Sequence, residues 1–275
     1  NRSRYLDVLL NDISEKFEKF MFKYEIIISS NASTDNTDEV VDNWSKKLPI
    51  IYIKQEENIG STASLSAAYS RARGKFSMYL ADDDFIESKG LQEAIITFMG
   101  QPSAGVLYAP WKLVTLKNRP VGTQFYKISH DQIFKKGDHL GFLNLILKDH
   151  IFPEIAIFRT SALKQISPTR NDLAFWAFTI AADFLSFGDI IFLKTPFYLS
   201  TTHYFDDEIR MQAGNEEVEY AWDRYRGGLE YIASNVSQML DEKNFDLLQK
   251  SINEFVSVRM LVGLRMRIAK KRNPI

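Results

Sequence analysis

Two stretches of this chain each run an apolar strand directly into a polar, carboxylate-bearing turn, and no other feature limits the fold so tightly. Glu25-Ile26-Ile27-Ile28 leads into Ser29-Ser30-Asn31-Ala32-Ser33-Thr34-Asp35, and Phe76 to Leu80 leads into Asp82-Asp83-Asp84. An open α/β sheet presents its ligand groups in this way, at the carboxyl ends of its strands. Between the two runs, an amphipathic stretch from Thr37 to Leu48 is punctuated by Pro49 before the short strand Ile50 to Lys54. Asn58-Ile59-Gly60 then opens a helix over Ala63 to Ala72, which Gly74 ends. This is a β-α-β rhythm.

The segments around this unit follow the same logic. Tyr5, Leu6, Leu9, Leu10, Ile13, Phe17, Phe20 and Met21 recur at helical spacing, so the chain opens with a helix. Strand-like runs at Gly105 to Ala109, Ile155 to Arg159 and Ile190 to Leu193 extend the sheet. The less regular Lys117 to Lys136 reads as an irregular loop. Beyond Asp206 the texture changes. Val218, Trp222, Tyr225, Leu229, Ile232, Val236 and Met239 alternate by four and three residues, predicting a long helix with a seam. Asp241 to Asn244 breaks it, and a second amphipathic helix carries Leu248, Ile252, Phe255, Val262 and Met266.

The bulk numbers exclude several classes. With 275 residues the chain buries about 75% of its unfolded surface and needs no disulfide or structural metal. It has no cysteine, which rules out thiolate zinc sites and fits a reducing compartment. A net charge of −1 gives no overall attraction to nucleic acid. No apolar stretch approaches the ~20 residues that span a bilayer.

The two turns, their order and their separation resemble the family 2 glycosyltransferases, inverting enzymes of the GT-A fold. Their first strand-turn reads like E-I-I-V-x-D-x-x-S-T-D and their later turn carries a D-x-D. Gly74-Lys75-Phe76-Ser77-Met78-Tyr79-Leu80 resembles the approach to that later turn. The resemblance, which covers only the first part of the chain, implies a nucleotide-sugar site and a mostly parallel sheet flanked by helices over residues 1 to 205; the periodicity beyond it predicts an α-helical extension over 206 to 275. Asn1-Arg2 is similar to the end of the family's T-Y-N-R turn, which implies a first strand upstream of residue 1.

Residue by residue, the resemblance implies that Asp82 and Asp84 hold Mn2+ or Mg2+ against the donor diphosphate. Asn31, Ser33, Asp35, Asn58, Gly60 and Asp83 then face the nucleotide-sugar donor, a UDP-sugar by expectation. Where the family has Asp, this chain has Ser30. For the first turn, helix capping by Ser33 or Thr34 is the competing reading. Asn171-Asp172-Leu173-Ala174-Phe175-Trp176 is similar to the E-D-x-x-x-W element, which maps the catalytic base onto Asp172, with Glu154 and Asp183 as competitors. His203 follows Pro196 and Tyr198 one residue out of the family's register, as a third metal ligand or an ordinary loop histidine.

The expected function is metal-dependent inverting transfer of a sugar from a nucleotide diphosphate sugar to a glycan or lipid-linked glycan acceptor, in bacterial surface polysaccharide synthesis. A silent nucleotide-sugar-binding scaffold and a sugar nucleotidyltransferase are the alternatives. The expected location is cytoplasmic, with Arg265, Arg267, Lys270, Lys271 and Arg272 open either to an anionic membrane's inner face or to solvent. The seam at 218 to 239 favours self-association over a lid packed on the catalytic domain.

Overall fold

A computed structural model of the chain describes residues 1–117, 120–166, 174–203 and 221–272; the side chains of residues 62, 121–123, 203, 266–267 and 269–272 are left out of that description. The opening helix α1 (Ser3–Lys16) buries Tyr5, Leu6, Leu9, Leu10 and Ile13 along one stripe. Leu10 is fully buried, and Leu10→Ala would cost about 3 kcal/mol in lost transfer energy and cavity. The helix stops before the apolar period does. Phe17 and Phe20 lie beyond it, stacked on each other at 4.3 Å, and Met21 is exposed.

Strand β1 (Ile26–Asn31), helix α2 (Thr37–Ser45) and strand β2 (Ile50–Gln55) form the expected crossover. β1 and β2 pair in parallel from Ile26 opposite Ile50 to Asn31 opposite Gln55, as a helical connection requires. Their Ile26, Ile28, Ile50 and Tyr52 pack on the cluster formed by Leu6, Leu9, Leu10, Ile13, Val41 and Leu48. That cluster fixes where β1 ends, and so where the first polar turn stands.

The chain continues through α3 (Ser61–Arg71), β3 (Phe76–Met78), β4 (Phe85–Ile86), α4 (Ser88–Met99), β5 (Ala104–Tyr108), β6 (Trp111–Thr115), β7 (Pro120–Gln124) and β8 (Gln132–Phe134). Then come α5 (His139–Asp149), β9 (Ala156–Arg159), α6 (Thr160–Leu163), α7 (Trp176–Phe187), β10 (Asp189–Phe192) and β11 (Tyr198–His203). The larger sheets run β3-β9-β5-β10-β8 and β4-β11-β6-β7. β5 pairs with β10 and β6 with β11 in parallel, whereas β9 is antiparallel to β3 and β5, β4 to β11 and β7 to β6. The pairing is therefore mixed: the β6–β7 connection is too short for a parallel crossover. The stretch read as an irregular loop, 117 to 136, contains β7 and β8.

Two compact units emerge: Asn1–Ile133, Ile155–Thr169 and Asp189–His203 form the first, and Phe134–Glu154, Arg170–Gly188 and Tyr204–Ile275 the second. This differs from a division at residue 205, because α5 and α7 group with the C-terminal helices. α7 is buried over most of its circumference and needs helical partners. One is the helix Trp222–Ser234, where Gly228 allows close approach: a Cβ there would stand 2.9 Å from Phe178 Cδ2. The Phe175 N–H also donates to the Arg224 carbonyl at 2.8 Å.

The predicted seam is thus covered inside the second unit. Leu229, Ile232 and Val236 are buried, and only Met239, on a short 3-10 turn (Ser237–Met239), stays 76% exposed. The burial removes the need for a second copy that the seam suggested; Val218 lies outside the described residues. The terminal helix Glu242–Arg272 buries Leu248, Ile252, Phe255 and Val256, while Val262, expected on the same stripe, is exposed. Phe152 centres this unit's core, 5.6 Å from Phe178 and 5.1 Å from Tyr225, with the Arg259 guanidinium 4.4 Å above its ring. Among the described residues no helix is long and apolar enough to cross a membrane.

Candidate active site

The acidic turn sits between β3 and β4, and β11 braces it. Asp83 and Asp84 are both buried. The Thr201 N–H donates to Asp84 Oδ1 at 2.7 Å and the Tyr198 hydroxyl to Asp84 Oδ2 at 2.8 Å. The Ala81 N–H donates in turn to the Tyr198 oxygen at 3.1 Å, and the Thr201 hydroxyl donates to the Asp83 carbonyl. The antiparallel pairing of Tyr198 with Ile86 and Leu199 with Phe85 aims β11 at the turn. Asp82 is less buried and faces Arg2, whose Nη2 lies 2.8 Å from Asp82 Oδ1 and 2.8 Å from Asp83 Oδ1. Only the contact with Asp83 is aligned as a hydrogen bond, so Asp82 Oδ1 is buried without one.

Removing Asp82 and Asp84 from water raises their pKa values. Burial, then the neighbouring Asp83 charge, pushes Asp84 up to about 7, against the pull of Thr201 and Tyr198. Burial raises Asp82 to about 6, with the Asp83 charge adding to it and the Arg2 charge opposing it. For Arg2 itself burial works against the charge, but Asp82 and Asp83 outweigh it and raise its pKa.

The first turn is wired differently. Asn31 Nδ2 donates to Asn58 Oδ1 at 2.8 Å, and Asn31 Oδ1 accepts from the Ile59 N–H at 2.8 Å. Asn58 Oδ1 also accepts from the Gly60 N–H at 3.0 Å, so the end of β1 is tied to the entry of α3. Gly60 has φ 83° and ψ 158°, a region open almost only to glycine. Asp35 accepts from the Ser3 N–H at 2.8 Å and from the Thr37 N–H at 3.2 Å, bridging the first turns of α1 and α2. Burial alone would raise its pKa, but the Thr37 hydroxyl and the Ser3 amide win and lower it to about 2. Ser33 Oγ lies 3.3 Å from the Asn1 nitrogen, and the Thr34 N–H donates to Asn1 Oδ1 at 2.6 Å. Capping thus falls to Asp35 instead of Ser33 or Thr34. Ala32, at φ 57°, holds a left-handed conformation between Asn31 and Ser33.

The fold therefore brings Asn31, Asn58 and Gly60 together at one turn and Asp82, Asp83 and Asp84 at another. Asn1, Arg2 and Ser3 connect the two: Asn1 holds Thr34, Ser3 holds Asp35, and Arg2 reaches Asp82 and Asp83. Sequence reading identified Asn1-Arg2 as a turn but not its carboxylate partners, which lie about eighty positions away and leave no local signal. Tyr198 and Thr201 were also missed as supports of Asp84; the Pro196-x-Tyr198 spacing was their only trace. Asp172 lies outside the described residues. Glu154 and Asp183 belong to the second unit, where Asp183 accepts from the Tyr231 hydroxyl at 2.8 Å. His203 ends β11, two residues after Thr201, and its side chain is not described.

Against known families, the profile described as Glycosyl transferase family 2 matches residues 1–166, which takes in both turns. The chain belongs to glycosyl transferase family 2. Abequosyltransferase RfbV of Salmonella typhimurium is 40% identical over 93 residues, 33% of this chain and 28% of that protein. The poly(ribitol-phosphate) beta-N-acetylglucosaminyltransferase TarS of Staphylococcus aureus is 28% identical over 122 residues, 44% of this chain and 21% of that protein. The matched stretch thus spans under a third of either relative. Among solved structures, S. aureus TarS 1-349 in complex with UDP superposes with TM-score 0.58 at 18% identity, over 98% of this chain and 89% of that one. Mannosyltransferase PcManGT from Pyrobaculum calidifontis, in complex with GDP-Man and Mn2+, gives TM-score 0.57 at 14% identity, over 98% and 84%. These likenesses establish the GT-A fold.

Proposed function

We propose that the chain is an inverting glycosyltransferase that moves a sugar from a nucleoside diphosphate sugar to a glycan acceptor, in bacterial surface polysaccharide synthesis. The observation that carries the reading is the acidic turn of a family 2 chain, with Asp82 and Asp84 held part-buried or buried at raised pKa. Two such carboxylates favour a cation over solvent exposure.

The residues present fit a divalent ion. Asp82 Oδ1 is buried with only its ion pair to Arg2, and the acidic turn offers carboxylate oxygens, which suit Mn2+ or Mg2+. Among the described residues no group of three or more His, Asp or Glu side chains is arranged around one point. Asp82 and Asp84 would then supply two ligands from the acidic turn, and His203, diphosphate oxygens and water the others. When bound, the ion neutralises charge on the leaving diphosphate. Asn31, Ser33, Asn58, Gly60 and Asp83 would face the nucleotide, with Asp35 acting through the turn it holds. Asp172 would take the proton of the attacking acceptor hydroxyl, a role supported by its place before Trp176 at the start of α7. His203 would be a third ligand. The UDP and GDP-Man found in the two superposed structures support a nucleoside diphosphate donor, and UDP-sugars come first.

Incubation with a panel of nucleotide sugars and Mn2+ tests the reading. Release of nucleoside diphosphate, by hydrolysis or transfer, is expected. Pyrophosphate release would point to a nucleotidyltransferase, and absence of binding across the panel would point to a silent scaffold.

A further inference from the structure

We propose that the outer face of the terminal helix Glu242–Arg272, from Val258 onward, docks on an anionic lipid surface. One face of this helix is already used: Leu248, Ile252, Phe255 and Val256 are buried in the second unit. At 100° per residue, Val258, Leu261, Leu264 and Ile268 lie on the other side, together with Arg265. Those four aliphatic side chains are 46%, 52%, 40% and 53% exposed. A solvated helix face carries charged and polar side chains there, so a run of four exposed aliphatics marks a surface that something covers.

Charge identifies what covers it. After Glu254 the sequence contains no acidic residue, while Arg265, Arg267, Lys270, Lys271 and Arg272 are basic, in a chain whose net charge is −1; Arg259, packed over Phe152, belongs to the buried side. The positive charge is therefore concentrated on the helix that also exposes its aliphatics. A second copy of the same face would oppose like charge to like charge, with no carboxylate to answer it. A nucleic acid backbone would take the cations but leave the aliphatics in water. An anionic lipid surface satisfies both, with the aliphatics entering the acyl boundary and the cations meeting the headgroups. Since no described helix is apolar enough to cross a membrane, the helix would lie on the surface. The inference does not depend on the donor chemistry proposed above.

The test is co-sedimentation of the full chain with vesicles of phosphatidylcholine containing about one third phosphatidylglycerol, beside pure phosphatidylcholine vesicles. Binding to the anionic vesicles, weakening with salt, is expected, with at least ~10-fold weaker partition to the neutral ones. The double variant Leu261→Asp, Ile268→Asp should lose at least ~10-fold of that partition while melting like the wild type, since both side chains are exposed. Arg265→Gln with Lys270→Gln and Lys271→Gln should lose a similar factor. Equal binding to both vesicle types, no binding, or full binding by the aspartate variant would overturn the proposal. So would a concentration-dependent mass in light scattering that the aspartate variant abolishes, because the face would then serve self-association.

Discussion

Two turns of this molecule place carboxylates after a strand, and their electrostatics are opposite. Asp35 at the first turn is surrounded by donors, the Ser3 and Thr37 amides and the Thr37 hydroxyl, and its pKa falls to about 2. Asp82 and Asp84 at the second are withdrawn from water beside Asp83, and their pKa values rise to about 6 and about 7. The same one-letter pattern thus has two physical meanings. A carboxylate whose lone pairs already face helix N–H groups holds the scaffold. Carboxylates crowded together and short of positive charge are where a cation gains most. Arg2 partly meets that need from within the chain.

The two turns should differ most in activity. Asp84→Asn should reduce turnover by at least ~10³-fold in a donor assay, because it removes a charge that would face the proposed ion. Its folding is checked by melting in parallel, because an amide can accept only one of the two bonds that the Thr201 N–H and the Tyr198 hydroxyl donate to the carboxylate. Asp35→Asn should retain activity within about tenfold, because its partners are helix amides. Next in size is Asp172→Asn, which keeps the shape but cannot accept a proton. It should slow the chemical step by at least ~10²-fold in single-turnover kinetics with little change in donor affinity. An unchanged rate would move the base to Glu154 or Asp183.

The pH dependence of stability sharpens the contrast and has opposite signs at the two turns. A folded pKa raised from 3.8 to about 7 means that native Asp84 holds its proton where the unfolded chain has lost it. Its contribution to ion-free stability is therefore greatest in acid and is lost as pH rises from about 4 through about 7. Denaturant titrations of wild type and Asp84→Asn at several pH values should show the wild type losing ground to the variant across that window. Asp35, lowered from 3.8 to about 2, contributes above about pH 4 and loses its contribution as pH falls through about 2. The smallest effect is Asp35→Asn at neutral pH, a loss of about 1 kcal/mol in chemical denaturation, the size of a lost helix-terminus hydrogen bond at a half-buried group.

How much of this could be read in advance follows from the range of the interactions. α1, β1, α2 and β2 were legible because the periods of Tyr5 to Ile13 and of Ile26 to Ile28 are local, and one face of each is buried. α5 and β7 were missed, and β9 was found without its antiparallel direction, because strand direction is set by partners distant in sequence. At the site, Asp82 to Asp84 stood out as a cluster. The roles of Arg2, Tyr198 and Thr201 depend on contacts across about 80 to 118 positions, which no window of sequence contains. The seam was read correctly as apolar and wrongly as a reason for self-association, since α7 and Gly228 supply the surface it needs.

Calorimetric titration of Mn2+ into wild type, Asp84→Asn and Asp35→Asn, with and without a nucleoside diphosphate, tests whether the acidic turn is a cation site. Wild type and Asp35→Asn should bind the ion alike, nucleotide should strengthen binding in both, and Asp84→Asn should bind at least ~10-fold more weakly. Wild-type affinity in Asp84→Asn, or an equal loss in Asp35→Asn, would contradict it.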